Sequence, residues 1–258
     1  MKIISIIIAT YNAEATLKTC LDSITTQLTE DTELLVIDGK STDSTCDIID
    51  DYKEKITYYI SEKDGGVYEA WNKGIEKAAG KWIMFVGADD FLLPNSISFY
   101  INYIKNSKEI EDIDYICANN QYINCKGMVL KVLGEEPTWK KMKKQMVAAH
   151  VASLHNKKNL FERHGLYNLN FKICADYELL LRRKNKLNYI FIPKNIAKMK
   201  EGGISFSVAA IKEIYQIRQM HQTIPTFYNI YLYYKDLFAF KTFTFRKSLK
   251  RQVNRLTK

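Results

Sequence analysis

Four carboxylates in the first ninety residues stand at or just past the ends of apolar runs, and they set the chemistry open to this chain. Asp38 closes Glu33-Leu-Leu-Val-Ile37, Asp64 lies shortly after Ile56 to Ile60, and Asp89-Asp90 follow Lys81-Trp-Ile-Met-Phe-Val-Gly-Ala88. Adjacent acids repel unless a proton or a cation sits between them. A hard divalent ion bridging to substrate phosphates is an economical answer, since Mg²⁺ commonly uses only one or two protein carboxylates. Turn chemistry is the competing account, because Asp38 and Asp64 both precede glycines. As a set on one sheet edge they point to a ligand, and Asp38 there suits a base or ribose hydroxyl. Asp176 forms a second centre, opening a leucine-rich helical run where the helix dipole alone also favours an acid. His150 and His155 lie in Met146-Val-Ala-Ala-His-Val-Ala-Ser-Leu-His155, a setting that suits core histidines as well as catalytic ones.

Other chemistries are disfavoured by missing motifs. The chain has no Gly-x-Gly-x-x-Gly, no phosphate loop ending in Gly-Lys-Ser/Thr, and no Gly-x-Ser-x-Gly nucleophile elbow. Its five cysteines are scattered without paired metal-ligand spacing, which argues for a reducing compartment and no disulfide framework. Hydrophobic content of 47% with 26% charged residues suits a soluble globular protein of one large domain with or without a small appendage. The net charge of +9 is uneven, with most acids early and basic stretches after Pro137 and Pro225. That asymmetry suggests a surface meeting phosphates. The N-terminal run Ile3 to Ala9 is too short for a signal peptide and reads as a strand, and no stretch reaches membrane-spanning length.

The elements that must carry these residues alternate. Strands are expected over Ile3 to Ala9, Glu33 to Asp38, Ile56 to Ile60 and Lys81 to Val86. Between them fall helices over Ala13 to Gln27 (capped by Asn12), Ser41 or Thr42 through Tyr52, and Val67 to Ala79 (ended by Gly80). Such alternation implies a mostly parallel central sheet flanked by helices, with the polar strand ends along one edge. Beyond Asn95 the pattern loosens. It holds a helix to Ser107, a strand over Tyr115 to Tyr122, a hairpin at Cys125-Lys-Gly127 and a short helix from Pro137 to Met146. Helical pieces at Leu160 to His164 and Tyr177 to Lys184 and a strand over Tyr189 to Ile192 follow.

The opening Ile7-Ile-Ala-Thr-Tyr-Asn12 and the run Glu33-Leu-Leu-Val-Ile-Asp-Gly-Lys-Ser-Thr-Asp-Ser-Thr45 resemble the start of a family 2 glycosyltransferase. Glu62-Lys-Asp-Gly-Gly-Val-Tyr-Glu-Ala-Trp-Asn-Lys-Gly74 is similar to that family's second motif, and Gly87-Ala-Asp-Asp90 to its Asp-x-Asp-type metal motif. His150, Cys174-Ala-Asp-Tyr-Glu178 and Gly202-Gly-Ile-Ser205 resemble its acceptor-side histidine, base segment and diphosphate loop, in family order from Ile3 to about Ser205. The resemblance implies a GT-A fold and inverting transfer of a sugar from a nucleotide donor, a UDP-sugar, to an acceptor hydroxyl. It implies nucleotide contacts from Thr10, Tyr11, Asn12, Asp38, Asp64, Asn72, Lys73 and Asp89. Asp90, with Asp89, would hold Mn²⁺ or Mg²⁺, and Asp176 would be the base. His150, Gly202 and Gly203 would serve the acceptor and diphosphate. The chain departs from the family pattern at Gly39, where many members carry a second Asp, and its metal motif reads Ala-Asp-Asp, which makes Asp90 the primary ligand.

Residues 1–205 are therefore expected to form the catalytic domain, with a nucleotide-binding half (1–94) and an acceptor half (95–205), and residues 206–258 a helical, basic extension. In that extension Phe227, Ile230, Tyr231, Tyr234, Leu237, Phe238 and Phe245 recur at helical spacing among lysines and arginines. The pattern fits a helix packed on the domain, a contact between copies in a homo-oligomer, or a helix lying on a membrane surface. The setting implied is bacterial surface-polysaccharide assembly on a glycan or polyprenyl-linked acceptor. The enzyme would then be cytoplasmic, or peripheral on the inner face of the cell membrane. No nucleic-acid module is recognisable. The alternatives are a sugar nucleotidyltransferase, for which Thr10-Tyr11-Asn12 lacks the Gly-rich basic loop, and a non-catalytic nucleotide-sugar- or nucleic-acid-binding protein.

Overall fold

Parallel strands β1 (Ile4–Thr10), β2 (Thr32–Asp38), β3 (Tyr58–Ser61) and β4 (Trp82–Gly87) are arranged β3-β2-β1-β4 in this computed structural model, which describes residues 2–256, with side chains through Arg246. Helices α1 (Leu17–Thr25), α2 (Thr45–Asp51) and α3 (Val67–Lys77) connect them. β1 and β2 are buried on both faces, which is why they read as continuous aliphatic runs instead of alternating ones. Ile4, Ile6 and Ile8 face one core with Leu17, Leu21 and Ile24 of α1, while Ile7 faces the other with Trp71 and Ile75 of α3. Edge strand β3 alternates in burial, as a one-sided strand should.

Several boundaries differ from the sequence expectation. α1 begins at Leu17, not Ala13; the chain before it is tied to the β2–α2 connection, with the backbone N–H groups of Asn12, Ala13 and Glu14 donating to Ser41, Thr45 and Asp43. Asn12 is not a helix cap; it sits at φ 47° and its side chain accepts from the Thr42 N–H at 2.9 Å. Gly80 does not close α3 either. It lets the backbone approach β1, since a Cβ there would meet the Ser5 amide nitrogen at 2.6 Å.

The second half continues the same sheet. β5 (Phe91–Leu92) and α4 (Ser96–Asn106) are followed by the antiparallel hairpin of β6 (Tyr115–Ile123) and β7 (Val129–Leu133). After α5 (Trp139–Met142) come β8 (Leu154–Asn156), α6 (Ala175–Leu181) and β9 (Tyr189–Lys200), giving the order β4-β8-β6-β9-β5 beyond the parallel half. Three-residue β8 runs antiparallel to both β4 and β6 and joins the two halves. The sheet must curl. Gly87 and Phe91 are only a few residues apart, a reach of about 14 Å. In a flat sheet β4 and β5 would be separated by roughly 19 Å across the intervening strands. Asp89-Asp90 therefore bridge the mouth of a curled sheet, and the antiparallel pairing of β5 with β9 (Phe91 opposite Lys198) brings the end of β9 beside them.

Two helices complete the chain, α7 (Val208–His221) and α8 (Thr226–Leu256). α7 packs on α6 through Ala210 and Ile217, and α8 on α7 through the fully buried Asn229, whose amide donates to Tyr215 O and Gln219 Oε1. No helix among the described residues is long and apolar enough to cross a membrane.

Candidate active site

The carboxyl ends of β1, β2 and β4 gather the polar residues singled out in the sequence. Thr10 and Asp38 are register partners across β1 and β2, and the Gly39 N–H donates to Thr10 O at 2.9 Å. Thr10 Oγ1 is buried with no hydrogen-bond partner among the described residues. Tyr11 is exposed, and Asp64 reaches the same spot: a Cβ built on Gly39 would lie 3.1 Å from Asp64 Oδ2 and 3.3 Å from the Tyr11 ring. A larger residue at position 39 would crowd this corner. Asp38 itself is fully buried and accepts from the Ser41 N–H at 2.9 Å and Ser61 Oγ at 2.6 Å, so its carboxylate holds the loop together.

Other expected nucleotide contacts take structural partners. Asn72 clamps the backbone of Tyr167, donating to its carbonyl at 3.0 Å and accepting from its N–H at 2.9 Å. Lys73 pairs with Glu62 at 2.8 Å, and Asp64 accepts from the Gly66 N–H at 2.9 Å.

The acid pair is the electrostatic centre. Asp90 is only 7% exposed, and burial together with the neighbouring Asp89 charge pushes its carboxyl well above the usual carboxylate range. Gly87 is needed beside it, because a Cβ there would meet Asp90 Oδ2 at 2.9 Å and Asp89 Oδ1 at 3.0 Å. The Lys200 charge and backbone contacts from Lys200 and Gly87 offset the raised proton affinity of Asp90 only in part, and two crowded oxygen-donor groups fit a hard divalent ion whose remaining ligands come from a phosphate group. No cluster of three or more potential ligands occurs among the described residues, so these two acids would hold the ion only with help from the substrate.

Asp176 opens α6 a short way off. Its Oδ1 lies 2.9 Å from Tyr68 Oη, whose single proton is shared with Ile173 O at 2.7 Å, and its Oδ2 lies 3.9 Å from His150 Nδ1. His150 is caged by Trp71, Phe85, His155 and Tyr167, and stacks nearly parallel on Phe85. Phe85 precedes Gly87 on β4, so this cage ties Asp176 to the strand that carries the acid pair. Burial lowers the pKa of His150 against the opposing pull of Asp176. Gly202 and Gly203 lie in an exposed loop just after β9, on the side where β9 meets β5.

Two residues that the sequence reading does not single out support Asp176. Tyr68 holds it from α3. Glu213 of α7 accepts from the backbone N–H groups of Lys172, Ile173 and Cys174 at 2.8, 2.9 and 2.9 Å, fixing the strand of chain that leads into α6. A tyrosine one turn before Trp71 in the second motif was the available signal for the first. Nothing local marks Glu213.

A curled central sheet flanked by helices, with an acid pair just past the end of β4, is the GT-A fold. TarS of Staphylococcus aureus in complex with UDP shares it at TM-score 0.67, with 17% identity over 92% of this chain and 71% of that one. Against the longer TarS structure the chain spans 39% of the length. The mannosyltransferase PcManGT of Pyrobaculum calidifontis, in complex with GDP-Man and Mn²⁺, matches at TM-score 0.61 with 16% identity, covering 83% of this chain and 62% of that one. The chain belongs to glycosyl transferase family 2, whose family model matches residues 5–184. A PGL/p-HBAD biosynthesis glycosyltransferase of Mycobacterium tuberculosis is 32% identical over 69% of this chain and 68% of its own. The poly(ribitol-phosphate) beta-glucosyltransferase of Bacillus spizizenii is 35% identical over 41% of this chain and 18% of its own.

Proposed function

We propose that this chain is an inverting, divalent-metal-dependent glycosyltransferase that moves a sugar from a UDP-sugar to an acceptor hydroxyl in cell-surface glycan assembly. The observation that carries it is the coexistence of the Asp89-Asp90 pair, with Asp90 buried and Asp89 exposed, and a separate carboxylate, Asp176, held near Tyr68 in the first turn of α6. Inversion needs one base on the face of the sugar opposite the leaving group, and Asp176 stands apart from the acid pair. Asp90, with Asp89, would hold Mn²⁺ or Mg²⁺, which supplies Lewis-acid neutralisation of the diphosphate leaving group. Thr10, Tyr11 and Asp64 line the corner suited to the nucleoside, and the Gly202-Gly203 loop emerges on the phosphate side. Asp176 takes the acceptor hydroxyl proton as its oxygen bonds to the anomeric carbon, while Tyr68 keeps the carboxylate in place and the His150 cage keeps water out. TarS has been solved with UDP and with UDP-GlcNAc, and GpgS of Mycobacterium tuberculosis with UDP and Mn²⁺, which supports a uridine donor and a divalent ion. The relatives named for glycan biosynthesis support the setting.

A panel of nucleotide sugars with Mn²⁺, read by UDP release and by the anomeric configuration of the product, tests this. One UDP-sugar should be consumed with inversion and spared in excess chelator. Retention of configuration, or full turnover without a divalent ion, would overturn the mechanism.

A further inference from the structure

Helix α8 has a face that packs and a face that does not. Asn229 and Leu232 are buried against the body of the protein. On the opposite side Phe227, Tyr231, Tyr234, Phe238 and Phe245 recur at helical spacing in one narrow stripe, and they are exposed by 59–77%. Exposed aromatic side chains aligned over several turns are far more than the scattered apolar residues of an ordinary surface. Lys235, Lys241 and Arg246 flank the stripe.

Beside the stripe α8 forms one wall of a cleft of about 430 Å³, and α5 forms the other. Lys140, Lys144, Lys235 and Arg218 line it. Arg218 is only 1% exposed; its Nη1 donates to Lys144 O at 2.9 Å, yet among the described residues Nε and Nη2 have no partner. Among the described residues no carboxylate lies within salt-bridge distance of Arg218, Lys140, Lys144 or Lys235. Two acids share the wall, Glu135, which is paired with Lys141 at 2.7 Å, and Asp236. The cleft therefore keeps a cationic excess with a buried guanidinium edge free to donate, an arrangement suited to a phosphate group. Tyr228 of the cleft stacks on Tyr231 of the stripe with centroids 6.0 Å apart, so the two features are continuous.

We propose that α8 and the Arg218 cleft form a seat for an anionic phospholipid surface, with the aromatic stripe at the headgroup boundary and a lipid phosphate in the cleft. Charge selects this occupant. A second copy would bring the same lysines and arginines together on a chain whose net charge is +9, whereas an anionic bilayer complements them. Aromatic rings beside basic residues are what an interfacial helix presents to a membrane. The inference does not rest on the catalytic reading.

Co-sedimentation of the full chain with phosphatidylglycerol-containing and pure phosphatidylcholine vesicles tests it. Binding should be confined to the anionic vesicles and weaken at high salt, each surface lysine being worth roughly fivefold in partitioning. Lys140→Gln/Lys144→Gln/Lys235→Gln and, separately, Phe227→Ser/Tyr231→Ser/Phe238→Ser should each lower binding about tenfold or more while circular dichroism stays unchanged. The Lys→Arg triple at the same three positions should retain it. Equal binding to neutral vesicles, or no binding to anionic ones, would overturn the proposal. So would binding of inorganic phosphate by calorimetry without vesicle binding, or a dimer in sedimentation velocity that the aromatic variant dissolves.

Discussion

Asp90 and Asp176 are carboxylates in different surroundings, and the difference separates what each substitution does. Asp90 is buried beside Asp89 with its proton affinity raised, the Lys200 charge offsetting this only in part, so without a bound metal the pair is a source of repulsion. Asp90→Asn should abolish metal-dependent transfer, and by removing that repulsion it should leave the melting midpoint in chelator at or above that of the unaltered protein. A clear loss of stability without metal would mean that the contacts Asp90 makes with Gly87 and Lys200 outweigh its repulsion with Asp89. Asp176→Asn keeps the size and removes the proton acceptor, so transfer should fall by about 10² or more with donor binding near normal. Tyr68→Phe should lower kcat by a smaller factor and leave the donor KM unchanged, because it frees the base without touching the nucleotide corner. Equal losses in kcat and donor affinity would place both residues in the donor site instead. The acids are legible in the sequence because each stands at or near the end of an apolar run or opens a helix. Tyr68 is not, because its bond to Asp176 spans 108 positions and leaves no periodic trace.

Elements were readable where burial imposes a period and blurred where contacts to other loops set the boundary. The doubly buried β1 and β2 announce themselves as aliphatic runs, and α3 shows a clear apolar face. α1 starts a turn late, after a stretch tied to the β2–α2 connection, a tertiary contact that local propensity cannot reveal. The same holds for α7, which lies beyond the residues expected to form the catalytic domain yet reaches back through Glu213 to the approach to α6. A charged acceptor taking several backbone N–H groups is worth about 2 kcal/mol or more. Glu213→Ala should therefore cost roughly that much in urea unfolding. It should also lower kcat more than Glu213→Gln, which keeps an acceptor oxygen, while donor binding is spared. If Glu213→Ala loses stability but keeps full kcat, the contact is structural only, and α7 has no part in holding Asp176.

At the scale of the whole molecule the halves meet at β8, a strand of three residues that the sequence reading does not contain, because Leu154-His155-Asn156 has neither length nor alternation. His155 lies at its middle, paired in register with Ile83 of β4 and Tyr115 of β6. The ring is fully buried, and burial, with a smaller contribution from His150 and against weak opposing backbone contacts from Ile83 and Ser153, holds its pKa well below the usual imidazole value. The sign of the linkage follows. Below about pH 6.5 the unfolded chain takes up a proton that the folded ring refuses. Stability is therefore full above that pH and falls as pH drops, levelling only at the depressed folded pKa. His150, whose pKa burial also lowers, adds to the same window. The melting midpoint should fall between pH 7 and pH 5. His155→Leu, which exchanges a buried, weakly bonded polar ring for an apolar side chain, should be near neutral at pH 7 and should shrink that fall. Thermal unfolding of both proteins across this range decides it: a fall that is just as steep in His155→Leu would move the acid sensitivity away from the seam between the halves.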